Sequence, residues 1–273
     1  MSKPKILIKI KQRPVIRNII DDKGIVHILD NMEGKYLEHD GEQLNAAIIY
    51  NFCDIVGVDH EKIWNDIQSL DKYDEEDKLE ISDGLDPKLL TGAHPSLKYR
   101  GNKLARSKIW LQTDYDLGCK RYRYTGWQWR VAPATRRLES MPSIDSATDN
   151  INKFMAQGMN HVIGTVYKNG KDNIGAHSDK DDDFTPGTGF IVIKLGEARR
   201  FQFTTPSGHV FFSEKLPAGT AVVVGSDANK LTKHAVPPVD TDNPSGSLVW
   251  RNIGTTIPWP TVRAKISSAN YKA

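Results

Sequence analysis

Two histidines and an aspartate in this chain have the types and spacing to hold a metal ion. His177 and Asp179 lie two residues apart in His177-Ser178-Asp179, and His234 follows further along the chain. Two imidazoles and one carboxylate are the facial donor set that grips non-haem Fe(II) on three positions and leaves the others open for substrate and dioxygen. On a strand, residues i and i+2 point to the same side. The spacing therefore predicts that His177 and Asp179 share a strand face while His234 arrives from a neighbouring strand. The pattern alone is weak, because a chain of this composition contains about 0.7 His-x-Asp by chance. A zinc hydrolase could use the same three side chains, but no glutamate base stands near them in sequence.

Such a triad needs a sheet to position it. After residue 160 the chain breaks into short β-rich runs divided by turn residues, as in a sandwich or barrel. Residues 161–168 and 173–178 flank Asn169-Gly170, a dipeptide that predicts a hairpin. Further strands are expected at 190–195, 200–204, 209–212, 220–224 and 247–253, with turns at Pro206-Ser-Gly and Pro217-Ala-Gly. Residues 6–10 and 24–29 read as two N-terminal strands. Apolar positions at helical spacing predict helices over 43–56, 60–70 and 146–157, and residues 71–86 read as an acidic linker. The expected fold class is α+β and β-rich: a double-stranded β-helix (jelly-roll) core with N-terminal helices.

Composition narrows the function classes. With 273 residues, 38% hydrophobic and 26% charged, the chain has room for one large or two small domains and a sizeable core. No apolar run approaches the ~20 residues of a membrane-spanning helix, and no secretory signal follows Met1. An intracellular protein, cytoplasmic or nuclear, is expected. Cys53 and Cys119 are too few for a disulfide framework. The net charge of +3 hides a segregation of charge. Residues 54–86 carry twelve acids against three lysines, and residues 88–137 carry twelve basic residues against two aspartates. The basic segment also holds Tyr99, Trp110, Tyr115, Tyr122, Tyr124, Trp127 and Trp129. Cations mixed with aromatics suit a phosphate backbone with stacked bases, and equally an ordinary solvated face over packed rings.

The stretch Tyr167-Lys-Asn-Gly-Lys-Asp-Asn-Ile-Gly-Ala-His177-Ser-Asp179-Lys-Asp181, followed by Pro186-Gly-Thr-Gly-Phe, Leu195-Gly-Glu-Ala-Arg-Arg-Phe-Gln-Phe, Leu216-Pro-Ala-Gly-Thr and Lys233-His234-Ala-Val-Pro237, resembles the AlkB family of Fe(II)- and 2-oxoglutarate-dependent dioxygenases. The resemblance spans residues 98–257 and is most specific over 160–237. It implies an N-terminal extension over 1–90 and a dioxygenase domain over 91–273, with a substrate-binding lid at 91–140 and the jelly-roll core at 141–273.

It also implies roles. His177, Asp179 and His234 would hold Fe(II), with 2-oxoglutarate and O2 as cosubstrates. Arg251 would bind the far carboxylate of 2-oxoglutarate, a task suited to a guanidinium. The family's terminal strand carries two arginines six residues apart. Here either Ser245 occupies the first position with Arg251 at the second, or Arg251 is the first and Ile257 stands at the second. Tyr167 matches a tyrosine that hydrogen-bonds the cosubstrate, and Thr165 stands where its usual asparagine partner would be. Tyr122-Arg123-Tyr124-Thr125-Gly126 resembles the strand beside the target base, with Tyr124 stacking and Tyr122 hydrogen-bonding. Asp181 takes the place of an acid that reads the base's exocyclic amino group. The implied activity is oxidative demethylation of N-alkylated bases in DNA or RNA, on a flipped or single-stranded nucleotide, by a monomer with no membrane attachment. Two alternatives stay open: a dioxygenase hydroxylating a protein or small molecule, and a nucleic-acid-binding module with an inactive metal site.

Overall fold

The computed structural model describes residues 16–68, 98–99, 102–103, 107–123 and 135–268. Strands β1 (Gly34–His39) and β2 (Glu42–Ile49) form a hairpin, followed by helices α1 (Phe52–Val56) and α2 (His60–Gln68). Short strands β3 (Lys98–Tyr99) and β4 (Asn102–Lys103) pair together, and β5 (Ser107–Gln112), β6 (Cys119–Lys120), β7 (Thr135–Arg137) and helix α3 (Pro142–Asn152) come next. The remainder runs β8 (His161–Tyr167), β9 (Ile174–His177), β10 (Phe190–Gly196), β11 (Arg199–Thr204), β12 (Val210–Leu216), β13 (Ala221–Val224), α4 (Ser226–Leu231), β14 (Lys233–Val236), β15 (Ser245–Arg251), β16 (Thr256–Ile257) and α5 (Trp259–Ser268).

Among the described residues, eight strands form one sheet in the order β1-β2-β13-β10-β15-β8-β5-β7, and four form a second in the order β12-β11-β14-β9. Every pairing in them is antiparallel except β5 with β7. The result is a strand-rich α+β fold of the jelly-roll type. Both faces of the large sheet are covered, so its central strands are apolar on both sides. On β10, Ile191, Ile193 and Leu195 join Ile63, Ile67, Ile144 and Ile151 of the helical layer. Phe190 and Val192 point the other way, into the space between the sheets, with Phe201 and Phe203. Each such side chain contributes roughly 1.5–3 kcal/mol on burial. Trp250 Nε1 donates to Thr148 Oγ1 at 2.8 Å, tying β15 to α3.

The structure departs from expectation at several places. Residues 43–49 belong to strand β2 and not to a helix. Ala46 and Ile48 face the inter-sheet core while Ala47 and Ile49 face the helices, so the run is apolar throughout and its period cannot separate strand from buried helix. The informative signal is Asp40-Gly41, whose positive φ values of 52° and 80° make a tight hairpin turn. Because β2 pairs with β13, this hairpin of the N-terminal extension is hydrogen-bonded into the large sheet. Residues 24–29 contribute only the isolated bridge of Val26 to Ile20, and residues 6–10 and the acidic 71–86 lie outside the described residues.

Secondly, β8 and β9 do not form a hairpin. The chain crosses at Asn169-Gly170 from the large sheet to the small one, since β8 pairs with β15 and β5 while β9 pairs with β14. Gly170 is needed for close approach: its N–H donates to Thr241 O, its carbonyl accepts from Val239 N, and a Cβ would lie 2.0 Å from Val239 O. Thirdly, α3 starts at Pro142, earlier than the spacing predicts. Proline suits a first helical position because that N–H has no intrahelical partner. No helix among the described residues is long and apolar enough to cross a membrane.

Candidate metal centre

His177 ends β9 and His234 sits directly opposite it on β14, so the ladder of the small sheet brings the two imidazoles together. Their ring centroids are 4.4 Å apart. Asp179 lies just past the end of β9, not on the strand, and it is held there by Asn229 of α4. The Asp179 N–H donates to Asn229 Oδ1 at 2.9 Å, and Asn229 Nδ2 donates back to the Asp179 carbonyl at 3.0 Å. This clamp on the main chain gives the loop carboxylate the fixed place that a strand would have supplied.

The candidate ligand atoms of the three residues lie within 4.8 Å of one another. Asp179 Oδ1 is 3.8 Å from His177 Nε2 and 3.9 Å from His234 Nε2, less than the sum of two metal–ligand bonds of ~2.1 Å. His177 Nδ1 donates to the Gly175 carbonyl at 2.8 Å, which leaves Nε2 with a lone pair facing the carboxylate. A cation among these atoms resolves that opposition. His177 is half-buried and forms the open side of the centre, while Asp179 and His234 are buried.

Electrostatics favour the ligating protonation states. Burial alone would raise the Asp179 pKa, but the Arg251 guanidinium outweighs it, helped by His234 and His177, and the carboxyl falls to about 2. Burial, reinforced by His177, lowers His234 to about 3 despite the nearby Asp179. Its ring stacks on Phe201 at 5.8 Å and touches Phe190, so the imidazole is neutral and fixed.

The other expected site residues divide. Arg251, which the resemblance assigns to the far carboxylate of 2-oxoglutarate, lines the cavity and donates from Nε and Nη2 to Asp179 Oδ2, at 3.0 and 2.6 Å. Thr165 and Tyr167 line the same cavity as the triad, together with Lys108, Ser247 and Val249. Lys108 Nζ donates to Thr165 Oγ1, and the Arg199 guanidinium lies over the Tyr167 ring at 5.4 Å. Tyr122 is buried, with the Arg251 guanidinium 4.8 Å from its ring and His161 at 5.4 Å. Tyr124, Trp127 and Trp129 lie outside the described residues. Asp181 is half-buried, its carbonyl accepting from Phe184 N.

Four residues of the neighbourhood escaped sequence reasoning. Asn229 had no motif to mark it. Asp183 reads as one more acid in a run, yet its side chain is fully buried and accepts from Arg121 Nε at 2.5 Å and Arg123 N at 3.1 Å, fixing residues 121–123 against the metal loop. Lys108 and Ser247 looked like charge and strand filler. Their alternation with apolar Ile109 and Leu248 was the available signal.

No protein-family model matches the chain, and no curated protein does. Solved structures do resemble it. The structure of OsALKBH1 matches at 15% identity over 81% of this chain and 100% of that one, with a TM-score of 0.43. A prolyl hydroxylase from Trichoplax adhaerens, in complex with a hypoxia inducible factor oxygen degradation domain peptide fragment, matches at 12% identity over 81% and 86%, with a TM-score of 0.39. A Pseudomonas putida prolyl-4-hydroxylase matches at 20% identity over 42% and 63%, with a TM-score of 0.28. At such identities and scores, the chemistry of this site rests on its own geometry.

Proposed function

We propose that the protein is an Fe(II)- and 2-oxoglutarate-dependent dioxygenase that oxidatively dealkylates N-alkylated nucleobases in DNA or RNA. The observation that carries the reading is the convergence of His177, Asp179 and His234 beside a cavity. In this reading those three side chains hold Fe(II), and the loaded site activates dioxygen with the oxo acid as the reductant. Arg251 holds Asp179 ionised and leaves Oδ1 to the metal. Phe190, Phe201 and Phe203 pack against His234 and keep water from its buried side.

Reduction of dioxygen takes four electrons. Two electrons come from decarboxylation of 2-oxoglutarate and two from the N-methyl carbon; one oxygen atom enters succinate and the other the methyl carbon. The carbinol C–N bond then breaks: its electron pair goes to the base nitrogen, the hydroxyl proton is transferred there, and formaldehyde leaves. The excess of basic residues in segment 88–137, Lys108 apart because it is buried, supports a polyanionic substrate. The resemblance implies a substrate-binding lid over this stretch, although its strands β5 and β7 belong to the large sheet.

One observation favours a second reading, hydroxylation of a protein side chain or small molecule. Tyr122, an aromatic ring next to the centre, is buried against Arg251 and not presented to a base.

The test is anaerobic addition of Fe(II) and 2-oxoglutarate, followed by air and an N-methylated single-stranded oligonucleotide. A visible charge-transfer band, then formaldehyde and succinate in equal amounts, is expected, and His177→Ala or Asp179→Ala should abolish both signals. Succinate formed with a peptide or metabolite, and none with the oligonucleotide, would select the second reading. With no band and no succinate the dioxygenase reading fails.

A further inference from the structure

We infer that Lys108 is the cation for the distal carboxylate of the dicarboxylate cosubstrate, with the Thr165 and Ser247 hydroxyls beside it. The inference rests on the dioxygenase reading and gives the distal anchor to a residue other than Arg251.

Sheet register places the residues. Lys194 on β10 lies opposite Ser247 on β15, Ser247 opposite Thr165 on β8, and Thr165 opposite Lys108 on β5. Directly opposed residues project to one face, so four neighbouring strands set a polar row on the inner face of the large sheet. Lys108, Thr165 and Ser247 of that row line the cavity that also holds the metal triad. Two positions along the strands towards the metal, the next inward row is Val192, Val249, Ile163 and Trp110. The row after that contains Arg251, which touches Asp179. The cavity thus runs from a metal centre, past Val192, Val249 and Ile163, to an ammonium and two hydroxyls. An oxo acid with two methylenes and a terminal carboxylate has the same order of groups.

Among the described residues the other buried cations make other contacts, and Arg251, which also lines the cavity, stands at its metal end. Arg251 spends two N–H groups on Asp179 Oδ2. Arg199 donates to the carbonyls of Asn169, Asp172 and Pro237 and to Ser245 Oγ. Lys194 shares the row, but its ammonium lies over the Phe201 ring at 5.3 Å and the residue does not line the cavity. Lys108 is 8% exposed, with its ammonium on Thr165.

The experiment is an anaerobic titration of the full chain, loaded with Mn(II), with 2-oxoglutarate and with 2-oxopentanoate, which has a methyl group in place of the distal carboxylate. The wild-type protein should prefer 2-oxoglutarate. Lys108→Met should lose affinity for 2-oxoglutarate by about 100-fold, keep its affinity for 2-oxopentanoate, and bind Mn(II) as before; Lys108→Arg should restore part of the preference. Lys194→Met should keep the preference. The assignment is overturned if Lys108→Met keeps the preference, if it weakens both acids equally with Mn(II) binding intact, or if Lys194→Met alone erases it. Should Lys108→Met fail to fold, the neutral Lys108→Gln protein decides: an unchanged preference for 2-oxoglutarate would overturn the assignment. If the wild-type protein binds Mn(II) but neither acid, the dioxygenase reading itself falls and takes this role with it.

Discussion

Arg251 donates two hydrogen bonds, from Nε and Nη2, to the same Oδ2 of Asp179, and so divides that carboxylate into a neutralised oxygen and one that faces two imidazoles. Both residues are buried, where an ion pair survives only with good geometry.

Removing the arginine should therefore expose an uncompensated charge. Arg251→Met is expected to destabilise the metal-free protein by about 3–5 kcal/mol. The loss should shrink when Mn(II) is bound, because the metal then supplies positive charge to the carboxylate. Urea melts of both proteins with and without Mn(II) measure this. An equal loss in both states would mean that Arg251 acts by packing against Tyr122 and not on the metal carboxylate.

Asn229 grips Asp179 through the main chain alone, so its removal should act on position and not on charge. Asn229→Ala is expected to weaken Mn(II) binding by roughly 10- to 100-fold, the usual effect of losing a group that orients a ligand, with a modest cost in stability of about 1–3 kcal/mol. Asn229→Asp keeps the acceptor for the Asp179 N–H and should fall between. Equal Mn(II) affinity in all three proteins, by competition titration, would show that the carboxylate holds its place unaided.

How far the site was legible follows from what each signal encodes. The second half of the chain reads as strands because turn residues punctuate it, and His177, Asp179 and His234 stand out by residue type. What escaped is what depends on contacts distant in sequence. Asn229 reaches Asp179 only once α4 packs beside the metal loop. Lys108 contributes to a basic segment in sequence, and only the β5–β8 register turns it inward onto Thr165. Residues 43–49 carry no alternation because both faces of β2 are covered. Asn169-Gly170 has the residues of a hairpin turn, and no local pattern says that the flanking strands belong to different sheets.

That last point makes a test. If Gly170 were present for a left-handed turn, asparagine would be tolerated there. The structure instead places the Val239 carbonyl 2.0 Å from where a Cβ would stand. Gly170→Asn and Gly170→Ala are both expected to lower stability by about 2–4 kcal/mol. Gly208→Asn, at a φ of 99° with nothing within 4 Å, should cost less. Thermal melts compare them, and a harmless Gly170→Asn would restore the turn explanation.

His161 gives the fold a dependence on pH. It is buried, lies opposite Arg251 across the β8–β15 ladder, and packs beside Tyr122. Burial first, then the charges of Arg251 and Lys120, lower its pKa from 6.5 to about 3. The unfolded chain therefore takes up a proton below pH 6.5 that the folded chain refuses until about pH 3. Stability is therefore full above the unfolded value and falls as pH drops, by up to about 1.4 kcal/mol per pH unit for this one group. His161→Phe keeps an aromatic ring beside Tyr122 and removes the titration. In metal-free protein it should match the wild type within about 1 kcal/mol at pH 8 and exceed it by roughly 2–3 kcal/mol at pH 4.5. His234, also lowered to about 3, titrates in both proteins and cancels in the difference. Urea melts at half-unit pH steps measure the gap, and parallel curves would show that the His161 ring takes up its proton as readily in the folded chain as in the unfolded one.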